Sequence, residues 1–297
     1  MRSEEAVKVS IWLFSQWPGL WNHRVVESVP LLTWEIPRWA LMWAIAVAMF
    51  CALKGLSLRW ARGVEATSGR RIAYLLLWPG MDARAFLTGT PRHPPEPSEW
   101  LAAAVKTLVG IGLLGLSRVA DAPLLAGWIA MVGIIFTLHF GSFHLLSCFW
   151  RSRGIDAPPL MHRPMAATSV SAFWGRHWNV AFRDLTHRMV FQPLLRRSGA
   201  RTALMGGFVF SGSIHELAIT VPAGGGYGGP LLFFLLQGGA ALVERSKAGK
   251  RLGLGKGWRG WLFTQGLLLA TVALLFPPPF VLRIILPFLD FLHELAL

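Results

Sequence analysis

The stretch SGSIHELAITVP, Ser211 to Pro222, is an apolar run with a histidine and a glutamate side by side in its middle. An ionisable pair inside a membrane span is costly and faces a cavity or a partner. Whether this run crosses a bilayer therefore decides both the fold and the place where chemistry would be found. The surrounding composition favours a bilayer. Of 297 residues, 54% are hydrophobic and 15% charged, against about 25% charged in an ordinary soluble domain. The expectation is an all-α, polytopic integral membrane protein in which a run of about 20 apolar residues marks each crossing.

Apolar runs fall at 39–55, 100–117, 123–149, 202–221, 230–243, 260–276 and 280–296. The fifth is short. The piece IAYLLLWPGM, 72–81, is too short to cross and reads as re-entrant or interfacial. About seven to nine transmembrane helices, with interfacial and re-entrant pieces around a central chamber, are expected. The first 38 residues read as an interfacial segment with Trp12, Trp17 and Trp21 at headgroup level, and not as a cleavable signal.

The net charge of +14 would fit a nucleic-acid partner, but its distribution excludes that class. Lys and Arg concentrate in 56–99, 150–201 and 244–259, while 222–229 and 277–279 carry none. That alternation orients a membrane protein with its basic loops in the cytoplasm. It predicts seven spans with the N-terminus outside and the C-terminus inside, as in a bacterial inner membrane. The two cysteines, Cys51 and Cys148, imply neither a disulfide framework nor a CxxC site. His139 and His144, five apart, make a poor bis-histidine pair, and no metal is expected.

The chain reads as a single domain with three parts beyond its plain spans: the N-terminal segment 1–38, a cytoplasmic loop 150–201, and the pair of helices 202–243. Within the loop, Val170, Trp174, Trp178, Ala181, Leu185 and Met189 recur at helical spacing. Arg176, Asn179, Arg183 and His187 follow the same period on another face. This predicts an amphipathic helix at the cytoplasmic interface. It serves either as an anchor or as a binding face for a ligand that carries phosphate and adenine. Composition does not separate the two.

If the run at 202 enters from the cytoplasm, His215 is 13 residues in, about 20 Å deep at 1.5 Å per residue. A histidine hydrogen-bonded between helices fits that place. So does a neutral imidazole acting as general base in a chamber that excludes water. A membrane transporter or proton-coupled carrier relaying protons through the buried His215–Glu216 pair is a further reading.

Two stretches in order, FWGRHWNVAFRDLTHRMVFQPLL and FVFSGSIHELAITVP, resemble the membrane-bound O-acyltransferase (MBOAT) superfamily. There an aromatic segment ending in Trp-Asn precedes a helix carrying His-Glu. The piece LLLWPGMDARAFL, 75–87, looks more like the wax synthase-like branch. The resemblance implies an acyl-CoA-dependent O-acyltransferase acting on a lipophilic alcohol. It implies His215 as the catalytic base, with Asn179, Glu216 and Gln237 in the catalytic set. Phe173, Trp174, Arg176, Trp178 and Arg183 fall in the acyl-CoA-binding segment. No cofactor is expected beyond acyl-CoA as co-substrate. The expected partners are acyl-CoA, the alcohol and membrane lipid, with an oligomer left open.

Overall fold

The structure, a computed structural model, describes residues 36–91 and 93–295. The expected interfacial segment at the N-terminus lies almost wholly outside the described residues. Among those described there are helices and no strands.

Helix α1 is Arg38–Trp60. Two short helices, α2 (Ser68–Leu77) and α3 (Ala83–Thr88), fold back against its end, each started by a side-chain cap from Thr67 and Asp82. α2 and α3 are too short to cross. Helix α4 (Pro97–Leu116) begins at a reciprocal cap between Glu96 and Glu99, with Pro97 in the first position. Helix α5 (Pro123–Ser152) contains a π-helical stretch at Ile135–Ser142.

The stretch Val180–Ala223 is helical but not straight. At Gly199 the backbone takes φ 81° and ψ 173°, on the side of conformational space that glycine enters at least cost. The chain turns back there. Phe182 stacks on Phe210 at 6.1 Å between ring centroids. A Cβ on Gly207 would meet Thr186 at 3.6 Å, and one on Gly206 would meet Leu194 and Val190. Residue sums that stay nearly constant along the contact define an antiparallel hairpin of α7 (180–198) and α8 (200–223). Thus α7 runs alongside α8.

Helix α9 (Gly229–Arg245) packs antiparallel on α8. Small residues set the spacing: a Cβ on Gly212 would lie 2.9 Å from Leu231 Cα, and one on Gly238 would lie 2.8 Å from Met205 Sδ. A short α10 (Lys247–Arg251) leads to α11 (Gly257–Leu275) and α12 (Pro278–Glu294), which meet at a 63° bend.

Four helical stretches are long and apolar enough to cross a membrane, or five if the bent pair α11–α12 makes one span. The seven to nine expected are not reached among the described residues, for two reasons. α9 has 17 residues, about 25 Å of rise. α12 does not return across the bundle. Pro277, Pro278 and Pro279 break the chain before it. Trp39 then stacks on Phe291 at 4.5 Å, and Arg118 donates to Leu289 O at 3.3 Å. Val281 closes on Gly127. These partners all belong to the end of the bundle where α1 begins and α5 begins. The expected separate crossing at 280–296 is corrected on that ground.

The bundle thus has two distinct ends. At one, Arg38 and Arg283 donate to the carbonyls of Ala223 at 3.1 and 3.2 Å, closing the turn after α8. The other holds the Gly199 hairpin tip and the last residue of α1, Trp60, which shares a cavity with Arg196 and Arg197. One core lies among α5, α8, α9, α11 and α12, and a smaller one lies around Tyr74, Phe86 and Trp150. Residue Lys54, 1% exposed, locks the smaller one to α1 by donating to Tyr74 O at 2.9 Å and Gly80 O at 2.6 Å.

Candidate active site

Residue His215 ends the regular part of α8, and a π-helical turn, Glu216–Thr220, follows it. Such turns recur at functional sites. Its Nδ1 lies 2.7 Å from Ser211 O. A carbonyl only accepts, so Nδ1 carries the proton, and Nε2 keeps its lone pair. The ring is half-buried. It stands at 90° to Phe182 of α7, 6.4 Å away, and lies 4.7 Å from Phe234 of α9. Three helices therefore position one imidazole whose Nε2 has no partner among the described residues.

Residue Asn179 has φ 41°, the left-handed region that asparagine enters more readily than most residues. Its Oδ1 accepts from Phe182 N at 3.2 Å and starts α7. Its own N–H points at Met161 Sδ, 3.1 Å away. Because Phe182 faces His215, this cap brings Asn179 to the level of the histidine. The amphipathic helix expected across 170–189 is divided at this point. Before it come one turn of α6 (Val170–Ala172) and a π-helical turn, Phe173–His177; after it comes α7.

The aromatic residues of that divided segment face inward. Phe173 stacks on Trp178 at 5.7 Å, and Trp178 meets Phe140 of α5 edge-on at 6.0 Å. Trp174 lies 5.2 Å from Phe234, whose other neighbour is His215. The two arginines differ. Arg176 is exposed. Arg183 donates to Gly175 O at 2.7 Å and pairs with Asp184 at 2.7 Å, which commits it to holding α7 against the preceding turn. Beneath them the backbone of His162 donates to His177 O at 2.8 Å. Burial, followed by the charge of His177, pushes the His162 imidazole below the ordinary histidine range.

Glu216 turns away from His215. Its carboxylate accepts from Thr220 Oγ1 at 2.6 Å and from Leu231 N at 3.1 Å, so it holds the first turn of α9. The adjacent pair is therefore not arranged as a relay. Gln237, with no exposed surface, accepts from Trp174 Nε1 at 3.4 Å and donates to Thr271 at 3.1 Å. It ties the aromatic segment to α9 and α11.

A residue the sequence did not single out completes the arrangement. Glu244, 5% exposed, accepts from Val170 N at 2.8 Å and Ser171 N at 2.9 Å. It is a buried carboxylate at a helix start, where orphan N–H groups need acceptors. Its only sequence signal is a carboxylate one residue past the end of the apolar run 230–243.

Away from His215, Glu99, His144 and Cys148 present ligand atoms within 4.8 Å of one another. Two cations already share that cluster. Arg151 Nη2 is 2.5 Å from Glu99 Oε2, and Lys106 Nζ is 3.4 Å from His144 Nδ1. The Glu99–Arg151 pair fastens the start of α4 to the end of α5. Two cavities have definite linings, both near Trp60 and Arg188, and His215 lines neither.

The apolar helices make this an integral membrane protein. Residues 157–236, which include every candidate from Phe173 to Glu216, match the model of the Membrane bound O-acyl transferase family. The chain is 32% identical over 146 residues to "Probable long-chain-alcohol O-fatty-acyltransferase 7" of Arabidopsis thaliana, covering 43% of this chain and 41% of that protein. It is 33% identical over 72 residues to "Long-chain-alcohol O-fatty-acyltransferase" of Simmondsia chinensis, covering 22% and 20%. Similarity to "Acyl-CoA--sterol O-acyltransferase 1" of Arabidopsis thaliana is 33% over 70 residues, covering 21% and 20%. The matched stretches thus span about two fifths of the first relative and a fifth of the other two. The central segment of this chain is thus similar to the Membrane bound O-acyl transferase family and, over part of its length, to proteins named long-chain-alcohol O-fatty-acyltransferases.

Proposed function

We propose that the protein is an acyl-CoA-dependent O-acyltransferase that esterifies a lipophilic alcohol within the membrane. One observation carries the reading: inside the segment that matches the MBOAT model, His215 has Nδ1 fixed on Ser211 O and Nε2 without a partner among the described residues. Nε2 accepts the hydroxyl proton as the alcohol oxygen attacks the thioester carbonyl. The C–S bond then breaks, and the imidazolium returns the proton to the departing CoA thiolate. The phenylalanines on either side keep bulk water, a competing nucleophile, from the acyl group. The arginine-rich tip end faces the cytoplasm, where CoA thioesters are made, in a bacterial inner membrane. The names of the relatives support fatty acyl groups as donors and long-chain alcohols or sterols as acceptors.

The test is a screen of purified protein with acetyl-, octanoyl- and palmitoyl-CoA against fatty alcohols and a sterol, reading free CoA and ester together. Ester from a long-chain donor is expected. Release of CoA without ester, or no release with any pair, overturns the proposal.

In this reading Asn179 Nδ2, which makes no hydrogen bond among the described residues, donates toward the thioester. Asn179→Asp retains the cap oxygen and the left-handed backbone while removing that donor. Turnover is expected to fall about tenfold or more, with the melting temperature unchanged. Unchanged turnover would confine Asn179 to starting α7.

A further inference from the structure

The aromatic segment beside His215 offers one uncommitted guanidinium among the described residues, that of the exposed Arg176. Of the two arginines in the aromatic segment, Arg183 is bound to Gly175 O and Asp184. A thioester donor whose other end carries several phosphates brings more charge than one guanidinium can meet. The hairpin tip provides the place. A cavity of about 390 Å³ is lined by Trp60, Arg188, Gln192, Pro193, Arg196 and Arg197. That volume falls at the lower end of the roughly 300–1,000 Å³ typical of small-molecule sites.

Its chemistry is one-sided. Arg188, Arg196 and Arg197 are exposed, and none of them pairs with a carboxylate among the described residues. The Arg188 guanidinium lies over the Trp60 ring at 4.2 Å, a cation–π contact that holds it in place without neutralising it. Guanidinium groups converging on one hollow suit phosphate oxygens, which they bind in pairs. Among the residues that line the two cavities, the acidic ones, Asp82 and Asp184, belong to the adjoining cavity of about 130 Å³, which shares Trp60 and Arg188.

Position agrees with chemistry. α7 carries Phe182 at the level of His215 and Arg188 six residues further, about 9 Å along the axis at 1.5 Å per residue. Arg196 is 14 residues beyond Phe182, about 21 Å. The arginines thus stand at the end of the same helix whose other end meets the imidazole.

We propose that the cavity beside Trp60 binds a phosphate-bearing head group through Arg188, Arg196 and Arg197, and that in turnover this group is the nucleotide end of the acyl-CoA. The second half rests on the acyltransferase reading above; the first does not. The shared chemistry also fits the phosphate of an anionic lipid, and the experiment separates the two sources.

The double variant Arg196→Gln/Arg197→Gln is compared with wild type in nanodiscs of neutral or anionic lipid. The binding arm needs no turnover: adenosine 3′,5′-bisphosphate is titrated calorimetrically. The variant is expected to bind about tenfold or more weakly, the scale of losing hydrogen bonds to a charged group. In the kinetic arm, the variant's KM for palmitoyl-CoA rises by a like factor with kcat retained, while its turnover of S-palmitoyl-pantetheine, which has no nucleotide, matches wild type. If the bisphosphate does not bind, and the variant instead loses a response to anionic lipid, the phosphate site stands with lipid as its occupant. Equal bisphosphate binding and equal lipid response in both proteins overturn the proposal. Absence of turnover by wild type, with bisphosphate binding intact, would remove the acyltransferase reading and leave this site.

Discussion

His215→Ala is expected to lower ester formation by about two to four orders of magnitude, the contribution of a positioned general base. The geometry separates this loss from a folding defect. The side chain of His215 makes one hydrogen bond, to Ser211 O, in its own helix. Removing such a bond costs about 1 kcal/mol. The packing of α8 on α9 rests instead on Gly212 against Leu231 and Gly238 against Met205, which the substitution leaves alone. The variant should therefore elute as wild type in detergent and bind acyl-CoA as wild type. His215→Gln supplies a control of similar bulk with no basic nitrogen, and it should be as inactive as the alanine variant. Single-turnover measurement of free CoA and ester checks both. Turnover within a few-fold of wild type in either variant would remove His215 as the base and would leave the imidazole a packing group between Phe182 and Phe234.

Much of the fold was legible in hydropathy alone. The expected runs 39–55, 100–117, 123–149 and 202–221 correspond to α1, α4, α5 and α8. Each is long, apolar and bounded by proline, glycine or basic residues. What failed were the features that hydropathy does not encode. RRSGARTA reads as a polar loop entering a span. In the structure it is the tip of a helical hairpin, because one apolar face of 180–198 packs on α8 while its arginines stay outside. Three consecutive prolines read as a turn between two crossings. A turn and a deflection have the same composition, and only the contacts of Phe291 with Trp39 and Leu289 with Arg118 show that α12 stays at its own end.

The site divides in the same way. His215 stands out in the sequence because an ionisable residue within an apolar run is expensive. The direction of Glu216 could not. Neighbours on a helix point about 100° apart, and only the fold shows that Glu216 reaches Leu231 N. Asn179 was read as one position on a helical face. Its left-handed backbone makes it the break in that helix, and it starts the helix whose Phe182 meets the imidazole. Arg188, Arg196 and Arg197 belonged to a loop whose charge was assigned to orientation, and the hairpin gathers them into one cavity.

The other large effect is expected at Glu244. α6 is a single turn, too short to stand alone in any medium. Its first two N–H groups are held by the Glu244 carboxylate at 2.8 and 2.9 Å, and Arg245 adds a bond to Ser171 Oγ at 2.9 Å. Glu244→Ala removes both carboxylate bonds and leaves two N–H groups without their acceptor, a loss of about 3–5 kcal/mol. The strain falls on the aromatic segment. Trp174 is fixed by a 3.4 Å bond to Gln237 and by Phe234, the ring that borders His215. Once α6 is released, Trp174 loses its register and the wall of the site loosens with it. The melting temperature, followed by tryptophan emission, should fall by several degrees, and kcat per folded molecule should fall about tenfold or more. Glu244→Gln keeps one acceptor oxygen and should recover part of both. A variant that melts early yet turns over normally at low temperature would show that Glu244 secures the fold without setting the geometry around His215.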